Sequence, residues 1–117
     1  MGKSILRDKS YQFAIDVVKV CIAMQKEHKE FVLTKQLIRS GTAVGALLRE
    51  AEFGQSKADF AHKINIALKE GNESAYWLDL LKDTGFLEKN HHIQLKSDCD
   101  ELIRMMVSSL KTIRHDK

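Results

Sequence analysis

Carboxylate and imidazole side chains at helical spacing are the residues of this sequence that could bind a metal. A helix bundle can hold a pair of metal ions with inward carboxylates and Glu-x-x-His pairs. Glu88 and His91 have that spacing, and Asp59 and His62 have a related one. The first pair falls in a predicted loop, however, and the second lies off the apolar face of its helix. The sequence therefore predicts no metal site and no cofactor.

A second candidate for chemistry is the carboxylate pair Glu70 and Glu73, three positions apart on one predicted helix. Paired carboxylates can carry out acid–base catalysis, but salt bridges across a subunit contact are the interpretation we favour. No serine or cysteine has a His and Asp set placed beside it by helical geometry, and no glycine-rich phosphate loop follows a strand. The sequence predicts no catalytic residues and a protein that is not an enzyme.

A basic stripe is the third candidate, and its chemistry is phosphate binding. Lys35, Arg39 and Arg49 lie within about an 80° arc of one predicted helix, with no acid among them. The formal charge of the whole chain is only +3, and residues 1–55 contain the excess. The alternative interpretation of the stripe is an ordinary solvated helix face.

The elements that must position these residues are helices in a single domain of residues 1–117. The sequence has no proline, which favours long helices with few turns. Hydrophobic content of 44% and charged content of 30% exclude a disordered tail. Periodicity predicts four helices, over residues 11–26, 31–53, 56–82 and 97–115, in an antiparallel up-down-up-down bundle.

The boundaries and the inner face of helix one follow from its pattern. We expect residues 1–10 to form a loose lead-in, with Ser10 capping the helix and Asp8 as a nearly equal alternative. We expect Tyr11, Val17 and Cys21 to share the inner face, with Phe13 to one side. In helix four, Ser97 is the predicted cap, and His91 and His92 lie in a solvated turn before it.

Helix three has two apolar stripes and is predicted to be covered on two sides. One stripe faces the bundle core. The other consists of Ile66, Trp77 and Leu80, and Glu70 and Glu73 border it. A monomeric bundle should be polar there, so these five residues are the predicted contact with another subunit.

The cysteines and the hydropathy of the sequence indicate the cellular compartment of the protein. Cys21 and Cys99 are isolated and fit neither a disulfide framework nor a zinc motif, which predicts reduced thiols in a cytoplasm. The longest apolar run, residues 43–48, is too short to span a membrane, and the start has no apolar core for a signal peptide.

Several motifs resemble a known family over nearly the whole chain, and together they are specific. The family is that of the bacterial four-helix-bundle proteins encoded in intervening sequences of 23S ribosomal RNA genes, with relatives among the accessory proteins of diversity-generating retroelements. The residues that carry the resemblance are Tyr11-x-Phe13-Ala14, Gln36-Leu37-Ile38-Arg39-Ser40-Gly41-Thr42-Ala43-Val44-Gly45-Ala46, Asp59-Phe60, Ile66-Ala67-Leu68-Lys69-Glu70, Glu73-Ser74-Ala75-Tyr76-Trp77-Leu78 and Gly85-Phe86-Leu87.

The resemblance implies an assembly and two kinds of partner. It implies a homopentameric barrel with a central channel and no known enzymatic activity. For the retroelement relatives it implies nucleic-acid binding through a basic surface and association with a reverse transcriptase. The sequence departs from the family's pattern at Ala43 and Leu47, where polar Ser and Asn are frequent. Any contact that those polar groups make is in doubt here.

Two hypotheses of function remain open from the sequence. The first is an oligomeric protein that binds RNA or DNA through Lys35, Arg39 and Arg49. The second is a protein–protein scaffold or adaptor that uses the second stripe of helix three, with Trp77 as its anchor.

Overall fold

Four long helices make up the fold, as the apolar periodicity and the absence of proline predict. The structure, a computed structural model, describes residues 2–115, and the side chains of residues 5–114. Over those residues it contains no strand. The helices are α1 (Gly2–His28), α2 (Val32–Glu52), α3 (Lys57–Asp83) and α4 (Lys89–His115). Each packs against the next along the chain, and α4 also touches α1 more lightly.

Helix α3 has the boundaries that its capping signals predict. The Ser56 hydroxyl accepts a hydrogen bond from the backbone N–H of Asp59 at 3.1 Å. At the other end Gly85 adopts a φ of +87°, a left-handed conformation that glycine adopts without strain. The backbone N–H groups of Phe86 and Leu87 then return to the Leu81 carbonyl. Leu87 is buried, so this turn closes one end of the core.

Helix α1 begins earlier than predicted, and Ser10 is not its cap. The helix already includes Gly2, and the buried Ser10 hydroxyl donates to the Arg7 carbonyl at 2.8 Å within the helix. Leu6 is also buried, so the core-facing side of α1 extends one turn and more before the predicted start. Burial of this turn stabilises a segment whose sequence is mostly polar.

Helix α4 also begins earlier than predicted, at Lys89 rather than after Ser97. His92 does not lie in a solvated turn, because its ring nitrogen lies 2.8 Å from an Asp79 carboxylate oxygen on α3. The Lys96 ammonium contacts the same carboxylate at 3.1 Å. Leu95, which lies between His92 and Lys96 in the sequence, is buried. The hydrogen bond from His92 does most to lower the pKa of Asp79, and Lys96 adds to it. These contacts fix the first two turns of α4 against α3.

The inner face of α1 differs from the predicted one. Phe13, expected to one side of the inner face, is 2% exposed, whereas Tyr11, expected on the inner face, is 57% exposed. The buried positions of α1 follow the three- and four-residue spacing of a bundle seam: Leu6, Ser10, Phe13, Val17, Cys21 and Met24. Val17 and Cys21 belong to that seam, as predicted.

Two glycines of α2 let α1 approach closely. A Cβ atom on Gly41 would lie 3.0 Å from Val17 Cγ1, and one on Gly45 would lie 3.3 Å from the Ser10 carbonyl oxygen. The start of α1 lies beside the end of α2, where the Arg7 guanidinium bonds Glu52 at 3.1 Å. This packing places the two helices that carry the charge excess side by side.

The Glu30 carboxylate binds the first backbone N–H groups of α2. Replacing it should lower the free energy of unfolding by an amount that depends on pH. Its carboxylate accepts hydrogen bonds from three backbone N–H groups, those of residues 32–34, at 2.8–2.9 Å. Burial raises the pKa of Glu30, but these hydrogen bonds and the Thr34 hydroxyl outweigh it, so the pKa lies below its usual 4.5. We expect Glu30→Gln to cost about 1 kcal/mol at pH 7, as for loss of a helix cap.

The pH dependence distinguishes this cap from a general surface effect. Because folding lowers the pKa of Glu30, its stabilisation is present above pH 4.5 and is lost as the pH falls through the folded value. The gap between the unfolding free energies of wild type and Glu30→Gln should therefore close in acid. Glu27→Gln, at an exposed position one turn earlier, is the matched control and should show no such gap. A gap that persists unchanged to pH 3 would contradict this assignment.

Candidate functional site

Arg39 is held between α2 and α3 by two carboxylates. Its guanidinium bonds Glu70 at 3.1 Å and also bonds Glu73. The Trp77 indole N–H donates to the same Glu73 carboxylate at 2.9 Å. The structure thus joins one predicted phosphate ligand to three predicted interface residues. A phosphate that binds Arg39 would have to compete with both carboxylates.

The electrostatics of this cluster favour the charged forms of Arg39 and Glu73. The hydrogen bond from Arg39 lowers the pKa of Glu73, and the Trp77 indole lowers it further, against the opposing effect of burial. The pKa of Arg39 is raised, first by the hydrogen bond that it donates to Glu73. Two anions around one cation leave this part of the α2–α3 surface without net positive charge, so we expect it to attract phosphate less than an unpaired cation would.

The second stripe of α3 is half-buried within the chain. Ile66, Trp77 and Leu80 are neither fully buried nor fully exposed, and Trp77 packs against the core. The adjacent Tyr76 is 58% exposed and meets the Trp77 ring edge to face, with centroids 5.0 Å apart. The α2 side chains therefore account for part of the covering that the sequence predicted for this stripe. Tyr76, which lies beside the stripe, is the most exposed large apolar side chain of this surface.

Lys35 and Arg49, the other two members of the predicted basic stripe, are exposed on α2 and lie about 21 Å apart along the helix. Among the described residues, neither has a carboxylate partner. The Arg49 guanidinium carbon lies 5.6 Å from the centroid of the Tyr11 ring, within the range of a cation–π contact. The basic stripe is therefore split, with Arg39 neutralised and the two outer cations available.

Sequence reasoning did not assign Lys19 of α1 to the site. It is exposed, has no carboxylate partner in the part of the chain that the structure describes, and lines the same groove as Arg49. The sequence did contain a signal that residues of α1 could contribute, since the excess of positive charge lies in residues 1–55. Only the packing of α1 on α2 shows that the two helices present one surface. We call Lys19, Lys35 and Arg49 the α1–α2 basic face.

An open groove of about 1320 Å³ runs along this face between α1 and α2. Its floor is apolar and includes Ala14, Ile15 and Val18 of α1 and Ala46 of α2. Tyr11 and Phe53 stand at its edges, 57% and 78% exposed. The other cations of the groove are paired, since Lys63 bonds Glu50 at 3.0 Å and Arg7 bonds Glu52. Asp59 adds a carboxylate that accepts a hydrogen bond from the Gln55 backbone N–H. We call this feature the α1–α2 groove.

The candidate metal ligands and the two thiols do not come together as a site in the described part of the chain. No three His, Cys, Asp or Glu side chains of residues 5–114 lie together as metal ligands would. His91 and Glu88 are 3.7 Å apart at the exposed start of α4. Cys21 and Cys99 are free and buried, and burial raises the pKa of each thiol to about 12, so neither is a reactive thiolate at neutral pH. In the described residues no helix has the length and hydropathy needed to cross a bilayer.

Comparison with known proteins identifies relatives of the chain. The family model for the 23S rRNA-intervening sequence protein matches residues 3–108. A crystal structure of a protein of unknown function from the S23 ribosomal protein family of Bacteroides thetaiotaomicron is 43% identical, with a TM-score of 0.92. The match covers 95% of this chain and 99% of that one. None of the curated proteins that were compared matches the chain.

Proposed function

Because this chain belongs to the 23S rRNA-intervening sequence protein family, we propose that it is a non-enzymatic, oligomeric protein that binds RNA or DNA through the α1–α2 basic face. The observation that carries the proposal is that unpaired cations of two helices, Lys19 of α1 and Arg49 of α2, line one groove. Lys19, Lys35 and Arg49 have no carboxylate partner in the described residues, whereas Arg39 is engaged by two. Unpaired cations on adjacent helices suit a phosphate backbone and confer little sequence preference.

Assembly would strengthen this weak charge. One chain has a formal charge of +3, so five copies would carry about +15, enough to attract a polyanion. We place the subunit contact on α3, where Tyr76 is exposed beside the half-buried Ile66, Trp77 and Leu80. An up-down-up-down order of helices, a pentameric ring, association with a reverse transcriptase and a cytoplasmic location complete the proposal. A mass in solution equal to one chain of 13.4 kDa would contradict the assembly.

The alternative function is a protein–protein scaffold or adaptor without nucleic-acid binding. Its support is a set of large apolar side chains that lie outside the groove and remain exposed. Exposed apolar surface can mark protein–protein contacts. The residues are Ile5, Ile22, Phe31, Val32, Tyr76 and Ile93. A scaffold would use these residues as partner contacts and would leave the cations solvated. The two functions therefore predict opposite results for a nucleic-acid titration.

The experiment is binding of a labelled structured RNA to the intact protein, measured by fluorescence anisotropy across a salt series. The proposal predicts binding at low salt that weakens steeply as salt increases, because each phosphate contact releases counterions. The slope of the logarithm of affinity against the logarithm of salt concentration counts the contacts. Absence of binding at low salt would contradict the nucleic-acid function and leave the scaffold function.

A further inference from the structure

We propose that the α1–α2 groove binds a single-stranded nucleic acid, whose bases stack on Tyr11 and Phe53 while Lys19 and Arg49 contact its phosphates. This inference rests on the proposed function and names its ligand class. The basic stripe that the sequence predicted, residues 35–49 of one helix, contains no aromatic residue. The structure instead places two exposed aromatic rings beside two unpaired cations in one groove.

The geometry of the two rings suits stacking. Tyr11 comes from α1 and Phe53 from the end of α2, and both are more than half exposed at the groove edge. Arg49 lies one turn before Phe53 on α2, and its guanidinium carbon is 5.6 Å from the Tyr11 ring centroid. Aromatic rings and guanidinium planes are the surfaces on which unpaired bases stack. The Arg49 guanidinium and the Tyr11 ring are thus already adjacent. A phosphate bound to Arg49 would therefore place its base near the Tyr11 ring.

The apolar floor favours a single strand over a duplex. Ala14, Ile15, Val18 and Ala46 offer no hydrogen-bonding group to a phosphate, but they can contact the face of an unstacked base. In a duplex the base faces are stacked on one another, so the groove could meet only the sugar–phosphate backbone. An apolar groove with a cationic edge therefore gains more from a single strand, which brings both a base face and a charge.

Charge argues against a second copy of the chain as the occupant. The apolar stripe that the sequence predicts for self-contact carries two carboxylates that could have met Lys19 and Arg49. Those carboxylates, Glu70 and Glu73, already bind Arg39 within the same chain. A second copy docked by that stripe would therefore offer the two groove cations one net negative charge at most, whereas a phosphate backbone supplies one for each nucleotide.

The test compares a fluorescein-labelled 12-nucleotide oligo(U) with a blunt RNA duplex of the same length, by anisotropy with the intact protein. Tyr11→Ala and Phe53→Ala should each weaken binding of the single strand about 5- to 100-fold, the range for loss of one stacked base. Because neither residue is charged, the salt slope should not change, and duplex binding should change little. Tyr11→Phe, which keeps the ring, should bind like wild type.

Phe31→Ala is the matched control, because Phe31 is also an exposed aromatic, 55% accessible, outside the groove. It should leave both affinities unchanged. If wild type binds oligo(U) and the groove variants bind it equally well, the stacking inference is wrong and the proposed function stands. If wild type binds neither probe at low salt, both fail. If Tyr11→Ala or Phe53→Ala lowers the mass in solution, a second copy occupies the groove and the inference is overturned.

Discussion

Replacing Lys19, Lys35 and Arg49 together with alanine is expected to weaken RNA binding on the order of 10²- to 10³-fold at about 0.1 M salt. Each phosphate contact contributes about 0.9 to the salt slope, so three lost contacts remove almost 3 from it. At 0.1 M salt each unit of slope corresponds to about tenfold in affinity, which gives the stated loss. Anisotropy titrations of the labelled structured RNA across a salt series measure both quantities.

The matched control removes three positive charges from the other half of the bundle. Lys69, Arg104 and Lys111 are exposed on α3 and α4, and no carboxylate of the described residues pairs with them. Their triple replacement changes the net charge equally but should reduce the slope by less than 1. Equal losses in the two triple variants would show that net charge, rather than the α1–α2 basic face, determines binding, and would contradict the site.

A single substitution at Arg39 tests the split within the predicted stripe. Lys35→Ala and Arg49→Ala should each reduce the salt slope by about 0.9. Arg39→Ala removes the same formal charge, but its guanidinium already bonds Glu70 and Glu73, so the slope should change little. A reduction for Arg39→Ala as large as for Lys35→Ala would show that phosphate displaces those carboxylates.

The sequence predicted the helices well where local chemistry marks their ends. Helix α3 begins after Ser56 and ends before Gly85, because a capping hydroxyl and a left-handed glycine act within a few residues. The early starts of α1 and α4 were missed for the opposite reason. Long-range contacts stabilise both starts, the burial of Leu6 in one and the bond from His92 to Asp79 in the other. No local pattern reports contacts of that kind.

The candidate site was predicted less well, because helical periodicity describes one helix at a time. On α2 alone Arg39 belongs to a stripe without acids, yet its partners Glu70 and Glu73 are 31 and 34 positions away. The same restriction hid the relation between Lys19 and Arg49, which lie on different helices that share one groove. Sites made across a helix pair need the packing, and the apolar pattern of each helix constrains that packing only loosely.

Helix α1 shows most clearly what helical periodicity leaves undecided, because it has apolar residues on two sides. Tyr11, Ile15, Val18 and Ile22 follow three- and four-residue spacing as well as the buried seam does, so periodicity alone does not decide which side faces the core. The prediction placed Tyr11 on one face with Val17 and Cys21. The glycines of α2 separate them, since Gly41 and Gly45 admit Val17 and the Ser10 backbone, and Tyr11 is left outside. The side left outside becomes the wall of the groove.

Phe13→Ala should therefore cost about 3–5 kcal/mol of unfolding free energy, the range for removing a buried aromatic side chain. Tyr11→Ala should cost no more than about 0.5 kcal/mol, because its ring is largely in solvent. Urea unfolding followed by circular dichroism measures both, at one protein concentration, since self-association would shift apparent stability. If Phe13→Ala is too unstable to purify, Phe13→Leu leaves a smaller cavity and should still lose more than Tyr11→Ala. The reverse order would place Tyr11 in the core, as the sequence predicted, and would remove one of the two aromatic rings from the groove.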